Sequence, residues 1–374
     1  MPDTVVKKSE KMFKRLVEAA FRFIFAKGDR SVYPIKPENV RSILVLRPDK
    51  LGDMIATIPA LHALKAHLPH ARIEVIASPH NRDLIADDPD IDAVHTYTKN
   101  ILHDIPMIRR LKKARFDIVF DPICHDSVTG LILSKWIGRH SIKAAARKLR
   151  LRPYYDYCEP YEPDGRDHSI DNSLLVFNVF GIDPASVDPY RPMYLPEDSI
   201  RKAEAFYESV PSNCLRVGFN ISAGSPSRTL DVRKYIAVMH AVAADYPDAE
   251  FIISCAPNER ERGEELQRAL PGKTHLIPDG RSFRDVCAVI SRLDILISPD
   301  TSLVHVAGTF GVPVVALYSG HIRNFYFWKP YRQECGWVIS NEFHHLLDIE
   351  PEQIVDQFRR LVATLDLTEK ARPS

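Results

Sequence analysis

The sequence lacks the features that mark several large classes of protein. Its 374 residues carry 50 lysines and arginines against 49 aspartates and glutamates, which excludes the basic excess of a general nucleic-acid binder. No apolar run approaches the ~20 residues that span a bilayer, and no signal-peptide pattern opens the chain, so we expect a cytoplasmic protein. The cysteines have neither metal-ligand nor redox spacing, which indicates free thiols: Cys124, Cys158, Cys214, Cys255, Cys287 and Cys335.

The even charge balance hides a basic N-terminal extension, residues 1–39. Residues 7–27 place Phe13, Leu16, Phe21 and Ile24 at helical spacing, with lysine and arginine on the remaining face. Two interpretations stay open for this helix. It lies on an anionic membrane surface, at the inner face of the inner membrane, or its apolar stripe packs on the protein itself.

Two long stretches of the chain alternate short apolar strands with helices. This pattern predicts an α/β fold in which each stretch forms a parallel sheet with helices on both faces. We therefore expect two Rossmann-like domains, at 40–185 and 200–345, facing a central cleft and joined by a proline-containing linker at 186–199. In the C-terminal segment, 346–374, the final helix either stays with the second domain or crosses back to the first.

The loop "RPDKLGD", residues 47–53, follows the first buried strand, where open parallel sheets bind ligands. Gly52 permits a close approach of the backbone to a ligand. A dinucleotide fingerprint needs three glycines and only one is present, which disfavours hydride transfer. Asp53 then has two candidate roles: it caps the following helix, or it accepts a proton in the cleft.

The segment "SPDTSLVHVAG", residues 298–308, runs from a buried strand into a helix. A helix start suits a phosphate because its first N–H groups lack partners within the helix. Thr301 and Ser302 add hydroxyl donors, whereas Asp300 is expected to cap the helix or to orient neighbouring donors. His305 either touches the ligand or packs as a core histidine.

Two further clusters follow strands of the second series. "NISAGSPSRT", residues 220–229, offers Ser222, the small residue Gly224 and the permanent cation Arg228. The alternative for Arg228 is a solvated surface arginine. Glu259 follows the next strand, where an acid commonly binds ribose hydroxyls or simply opens a charged helix.

Two charged stretches have plainer interpretations. Asp88, Asp90 and Asp92 have a spacing that could suggest a metal site, but they precede a strand and are interpreted as a solvated turn. The run from Arg139 to Arg152 contains basic residues and no acid. It is interpreted as a solvated helix face or as a surface that meets an anionic acceptor.

Taken together, the motifs "RPDKLGDMIATIPAL" and "SPDTSLVHVAGTFGVPVVALYS" resemble glycosyltransferase family 9, the heptosyltransferases of lipopolysaccharide core assembly. The resemblance covers residues 41 to about 365. It implies the GT-B architecture, no metal and no cofactor. It also implies inverting transfer of a heptose from ADP-heptose to a lipid-linked or core-oligosaccharide acceptor.

The resemblance also implies roles for single residues. Asp53 matches the proposed general base of the family, and Glu259 its ribose-binding acid. Asp300 to His305 match the diphosphate-binding helix start, although Ser302 stands where glycine is common. Arg228 matches a basic residue that is often lysine. Candidates to meet the anionic groups of an acceptor are Arg47, Lys50, His80 and Arg82.

Two other functions remain open from the sequence. One is a nucleotide-sugar epimerase of the same architecture, which needs more acid and base groups facing the sugar. The other is a non-catalytic nucleotide-sugar-binding protein associated with a membrane.

Overall fold

A computed structural model describes residues 34–161, 167–189 and 191–367; the predicted amphipathic helix at 7–27 lies outside these ranges. The first sheet has six parallel strands in the order β3-β2-β1-β4-β5-β6. Its strands are β1 (Ser42–Arg47), β2 (Arg72–Ala77), β3 (Ala93–Thr96), β4 (Ile118–Asp121), β5 (Ile142–Lys148) and β6 (Tyr157–Pro160).

The second sheet repeats this arrangement with six parallel strands in the order β12-β11-β10-β7-β8-β9. Its strands are β7 (Leu215–Asn220), β8 (Ala249–Ser254), β9 (Thr274–Leu276), β10 (Ile295–Pro299), β11 (Val314–Tyr318) and β12 (Cys335–Ile339). The strand order reverses at β1 in one sheet and at β7 in the other. Loops on either side of such a reversal separate and leave room for a ligand.

The helices connect successive strands and cover the sheet faces. They are α1 (Leu51–Ile55), α2 (Ile58–His67), α3 (Ile101–Ala114), α4 (Val128–Ile137), α5 (Ser169–Leu174), α6 (Glu197–Tyr207), α7 (Val232–Asp245), α8 (Arg260–Ala269), α9 (Phe283–Ile290), α10 (Ser302–Thr309), α11 (Ile322–Trp328) and α12 (Pro351–Leu365). Short 3-10 turns occupy Pro37–Asn39, Arg82–Leu84, Arg152–Tyr154, Leu175–Phe180, Pro184–Ser186, Pro226–Arg228 and Pro257–Glu259. None of the described helices is both long enough and apolar enough to cross a bilayer.

Burial on both faces explains why these strands are continuous apolar runs. All six residues of β1 are buried, as expected for a central strand covered by helices on each side. One apolar cluster contains Met54 and Ile55 from the first domain and Leu303 and Val304 from the second. The predicted pair of Rossmann-like sheets is therefore confirmed, and the two domains share an apolar contact.

The C-terminal helix α12 stays with the second domain. It packs on β12, β11 and α7, and its buried face contributes Ile354, Phe358 and Leu361 to the core of that domain. The sequence left two placements open for this helix. It packs on the second domain and does not cross back to the first.

The basic run from Arg139 to Arg152 is not a helix, and this prediction was wrong. Its centre is strand β5, which pairs with β4 and β6 and packs Ala144 and Ala145 in the core. Lys148, at the end of β5, is 0% exposed and lies 3.0 Å from Asp121. It also donates to the carbonyl oxygens of Ile123 and His125. A buried partner for the cation allows a lysine in this interior position.

The turn "ADDPDID" is not simply solvated, which corrects a second prediction. Asp88 is buried, and its Oδ2 lies 2.7 Å from His62 Nε2. Asp92 Oδ2 accepts hydrogen bonds from the backbone N–H of Ile73 at 2.8 Å and from Lys65 Nζ at 3.0 Å. The acids therefore fasten this turn to β2 and α2, because each carboxylate meets a donor from a neighbouring element.

We expect Lys148→Met to destabilise the fold by about 3–5 kcal/mol, because it leaves the buried carboxylate of Asp121 without its cation. The free energy of unfolding from urea denaturation measures this loss. Lys112→Met, at an exposed position on α3, is the matched control and should change it by less than about 0.5 kcal/mol. Equal stabilities for the two variants would show that the buried ion pair contributes nothing.

Candidate functional site

A cleft of about 740 Å³ lies between the domains at the carboxyl ends of both sheets. The first domain lines it with the loop 47–53 after β1 and with Ile123, Cys124 and His125 after β4. The second domain lines it with the loop after β7, the start of α10 and one face of α11. Three of the motifs singled out from the sequence, at 47–53, 220–229 and 298–308, therefore meet across one space.

Two helix starts face each other inside this cleft. A Cβ atom built on Gly52, in α1, would lie 3.9 Å from both Ser302 and His305 of α10. This is an ordinary van der Waals distance, so the starts of the two helices lie close together. Because both helices begin here, their dipoles make the junction favourable for negative charge.

Asp53 lies in the first turn of α1, and its side chain is 22% exposed in the cleft. Lys50 occupies the N-cap position, so Asp53 does not cap this helix. Its backbone carbonyl accepts hydrogen bonds from Arg47 Nε at 2.9 Å and from Thr57 Oγ1 at 2.8 Å. These bonds hold the residue in place and leave its carboxylate facing the cleft.

Arg47 was predicted to bind the anionic groups of an acceptor, but in the structure it is buried and paired with other residues. The residue is only 2% exposed, and its Nη1 lies 3.2 Å from Asp49 Oδ2. Its Nη2 lies 3.6 Å from Asp53 Oδ1. The guanidinium is therefore used within the loop, where it holds two carboxylates, and this correction follows from its position on a central buried strand.

The remaining acceptor candidates divide into two groups. Lys50 is exposed and lines the cleft. His80 and Arg82 are also exposed, but they follow β2 and are not among the residues that line the cleft. Sequence reasoning missed Cys124 and His125, although β4 is the neighbour of β1 and its following loop must lie at the same sheet edge.

The start of α10, where the sequence predicts a phosphate, lies at the cleft. Thr301 is the N-cap, and its Oγ1 accepts from the N–H of Leu303 at 3.3 Å and from Asn220 Nδ2 at 2.9 Å. Thr301 and Ser302 both line the cleft. The bond from Asn220 ties this helix start to the end of β7, so two strand ends fix its position.

Asp300 orients donors and does not cap the helix. Its Oδ2 accepts from Arg228 Nη1 at 3.0 Å and from Asn324 Nδ2 at 2.6 Å. Burial raises the pKa of this carboxyl, and Arg228 opposes the shift. Arg228 remains 33% exposed in the cleft, and Gly224 lies beside it, where an added Cβ would be 3.5 Å from Nη2.

His305 is packed as a core histidine whose edge reaches the cleft. It is 7% exposed, and its ring centroid lies 5.2 Å from that of Trp328. Burial, with a smaller contribution from the nearby His168, lowers its pKa to about 3. A neutral imidazole in this position separates the cleft from an interdomain cavity of about 270 Å³ that it also lines.

A second cavity, of about 370 Å³, adjoins the start of α10 at the ends of β7, β8 and β9. Ser222 lines it, and its Oγ accepts from the N–H of Ala256 at 2.7 Å, which ties two loops together. Glu259 lies outside this lining and pairs with Arg262. The acid in the lining is Asp279, which the sequence analysis missed although it follows strand β9.

One group of described residues has the spacing of a metal site. Donor atoms of His62, Asp88 and Asp90 lie within 4.8 Å of one another. The group sits at the turn after β2 and lines neither the cleft nor the adjoining cavity. His62 and Asp88 already form the hydrogen bond described above, which is sufficient to explain their proximity.

Residues 106–357 match the sequence family described as "Glycosyltransferase family 9 (heptosyltransferase)". The chain belongs to glycosyltransferase family 9. The family match and the two facing sheets agree, and the architecture is the GT-B type.

Curated family 9 relatives are distant but cover most of the chain. The lipopolysaccharide core heptosyltransferase OpsX of Haemophilus influenzae is 22% identical over 77% of this chain and 82% of its own length. Lipopolysaccharide heptosyltransferase 3 of Escherichia coli K12 is 20% identical over 75% of this chain and 83% of its own. The family 9 relatives thus include enzymes named for lipopolysaccharide assembly.

Solved structures show the same fold. The glycosyl transferase family 9 protein of Veillonella parvula superposes with a TM-score of 0.73 and 20% identity over 87% of this chain and 97% of its own. The Escherichia coli heptosyltransferase WaaC, solved with ADP, superposes with a TM-score of 0.66 and 15% identity over 86% of this chain and 98% of its own. At these identities the likeness concerns the fold alone.

Two buried histidines, His168 and His305, predict a stability that falls as the pH is lowered. Burial lowers the pKa of His168 to about 4 and that of His305 to about 3, whereas an unfolded histidine titrates near ~6.5. Below about pH 6.5 the unfolded chain therefore binds protons that the folded protein does not. Each histidine should reduce the free energy of unfolding by about 1.4 kcal/mol per pH unit between about pH 6 and 4.

Urea denaturation from pH 7 to 4.5 measures this dependence. In His305→Gln the free energy of unfolding should fall less steeply with decreasing pH than in the unsubstituted protein. The difference should equal the contribution of one histidine. His80→Gln, at an exposed position, is the control and should keep the original slope. An unchanged slope in His305→Gln would mean that burial does not lower the pKa of His305 below that of an unfolded histidine.

Proposed function

We propose that the protein transfers a heptose from ADP-heptose to a hydroxyl of a lipopolysaccharide-core or related lipid-linked glycan, with inversion and without a metal. The observation that carries the proposal is that a carboxylate and a cation face the same cleft from different domains. Asp53 faces it from the first domain, and Arg228 faces it from the second beside the start of α10. Family 9 membership makes a glycosyl donor the natural occupant.

The donor's nucleoside enters the cavity of about 370 Å³, and its diphosphate lies at the start of α10. Thr301 and Ser302 line both spaces, so a molecule that extends from one to the other passes them. Arg228 and the N-terminal N–H groups of α10 stabilise the charge that builds on the leaving diphosphate. Asp279 is the acid placed to accept hydrogen bonds from ribose hydroxyls, in preference to the predicted Glu259.

Asp53 acts as the general base. Its carboxylate takes the proton from the acceptor hydroxyl as that oxygen forms a bond to the anomeric carbon. The bond from this carbon to the diphosphate oxygen breaks, and its electron pair leaves with the ADP. Attack from the side of Asp53, opposite the leaving group held by Arg228, inverts the anomeric centre.

The acceptor occupies an extension of the cleft, of about 450 Å³, between the loop after β4 and α11. Phe327 and Trp328 line the passage that joins the two spaces, and Tyr161 and Arg323 lie further out. The guanidinium of Arg323 lies 4.9 Å from the centre of the Tyr161 ring. Aromatic faces with cations suit a saccharide that carries anionic groups, and Lys50 adds a second exposed cation.

Membrane association through residues 7–27, and with it a position at the inner face of the inner membrane, stays a prediction from the sequence. It would bring the cleft close to a lipid-linked acceptor. The role of the segment is separate from the chemistry, since the residues assigned to transfer all lie within the described ranges.

We expect Asp53→Asn to lower kcat by about 10²–10⁴-fold, because it removes the general base. The affinity for ADP should be unchanged, since the donor binds the opposite wall. Asp83→Asn, at an exposed acid after β2, is the matched control and should retain full activity. A kcat for Asp53→Asn within about threefold of the unsubstituted enzyme would remove Asp53 from the role of base.

We expect Arg228→Gln to weaken ADP binding by roughly 10–150-fold, the equivalent of the ~1.5–3 kcal/mol of a charged hydrogen bond. The loss includes repulsion from Asp300, which would keep its charge without its partner. Isothermal titration measures the affinity. Arg233→Gln is the control because that side chain is 84% exposed. Equal affinities for the two variants would place the diphosphate elsewhere.

A thermal-shift panel of ADP, UDP and GDP tests the nucleotide, because selective stabilisation follows affinity. Incubation of the donor without an acceptor tests the reaction class. An epimerase would rearrange the sugar, and a non-catalytic binder would return it unchanged even after an acceptor is supplied. Family 9 membership disfavours both outcomes, since it groups the chain with transferases.

A further inference from the structure

Three charged groups at the end of β1 and in the loop after it form a single connected unit, in which Arg47 is buried and both carboxylates reach the cleft. Arg47 places its Nη1 3.2 Å from Asp49 Oδ2 and its Nη2 3.6 Å from Asp53 Oδ1. Its third nitrogen, Nε, donates to the backbone carbonyl of Asp53 at 2.9 Å. One cation therefore serves two carboxylates, and the second of them is the proposed base.

Asp49 is held in this arrangement from outside the loop. Its backbone carbonyl accepts hydrogen bonds from Ser78 Oγ at 2.9 Å and from Asn81 Nδ2 at 3.3 Å. Its carboxylate lines the cleft, but the Oδ1 atom is buried and has no hydrogen-bond partner among the described residues. A buried carboxylate oxygen without a donor is costly, which calls for an explanation other than loop stability.

We propose that Asp49 is a positioning residue that sets the basicity of Asp53 through the guanidinium of Arg47 that both carboxylates share. The inference rests on the proposed function, since it takes Asp53 as the base. When Asp49 is ionised, Arg47 is divided between two anions and Asp53 has a second negative charge nearby. When Asp49 is neutral or absent, Arg47 is left to Asp53 and makes it a weaker base.

The electrostatics around Asp49 agree with this geometry. Burial raises the pKa of Asp49 to about 6; Arg47 opposes the shift, and Asp53 and Asp121 add to it. A change in the charge of Asp49 therefore alters the electrostatic environment of Asp53 through the guanidinium that both carboxylates contact. The other titratable or charged groups that line the cleft from the elements around this unit are Lys50, Cys124, His125, Arg228, Asp300 and His305.

The test is the pH dependence of transfer by the purified full-length protein, with ADP-heptose as donor and lipopolysaccharide core as acceptor. The unsubstituted enzyme should lose kcat/KM below about pH 6 along a limb that reports two coupled protonations. Asp49→Asn should move this limb down by about one pH unit and reduce it to a single protonation. At pH 8 its kcat should fall about three- to tenfold, with the KM for the donor unchanged.

Two variants separate this role from a structural one. Asp49→Glu keeps the charge and should restore the position of the acid limb. Asp87→Asn, an exposed acid outside the cleft, should leave the profile unchanged. A thermal shift with ADP equal to that of the unsubstituted protein shows that Asp49→Asn is folded and binds the nucleotide.

A measurement on the unsubstituted protein covers the case in which Asp49→Asn does not fold. The 13C signal of the Asp53 carboxyl should titrate in two steps, one of them shared with Asp49. A single step, or an acid limb of Asp49→Asn that coincides with the original, overturns the inference. Absence of heptose transfer by the unsubstituted enzyme would instead count against the proposed function, and the NMR titration would still decide whether the carboxylates are coupled.

Discussion

The arrangement of the cleft depends on the contact between α1 and α10. At Gly52 an added Cβ would lie 3.9 Å from both Ser302 and His305, an ordinary van der Waals distance, so the starts of the two helices lie close together. Directly behind this contact, Met54 and Ile55 of one domain pack in the same apolar cluster as Leu303 and Val304 of the other. Because the apolar residues fix the distance between the helices, the polar groups at their N-termini face each other across a space of defined width.

Charged side chains near the cleft are held by buried partners. Arg47 is shared by Asp49 and Asp53, Arg228 pairs with Asp300, and Lys148 pairs with Asp121 beneath the loop that carries His125. In a low-dielectric setting such pairs constrain geometry strongly, because separation of the charges is costly. The site is therefore organised before a ligand arrives, and less of the binding energy is needed to order it.

The fold followed from the sequence wherever a local pattern and a long-range contact agreed. Apolar strands alternating with helices predicted both parallel sheets, because a strand buried on two faces must be apolar along its whole length. The pattern failed in the run around β5. Lys148 is charged and yet fully buried, and its partner Asp121 lies on another strand, so no local rule marks the run as interior. The prediction of a solvated turn at 86–92 was wrong for the same reason, because the donors that bind its acids come from α2 and β2.

The sequence by itself determined that the loops after β1, β7 and β10 reach the cleft, because residues after parallel strands must lie at one edge of the sheet. It thereby singled out Asp53, Arg228 and Thr301, together with the family to which the chain belongs. Only the tertiary structure decided what each charged group does there. Arg47 turned out to be buried between two carboxylates, Asp300 to orient Arg228, and Glu259 to lie outside the lining that contains Asp279. Such roles depend on distances between side chains that are far apart in the chain, and these distances are set by packing.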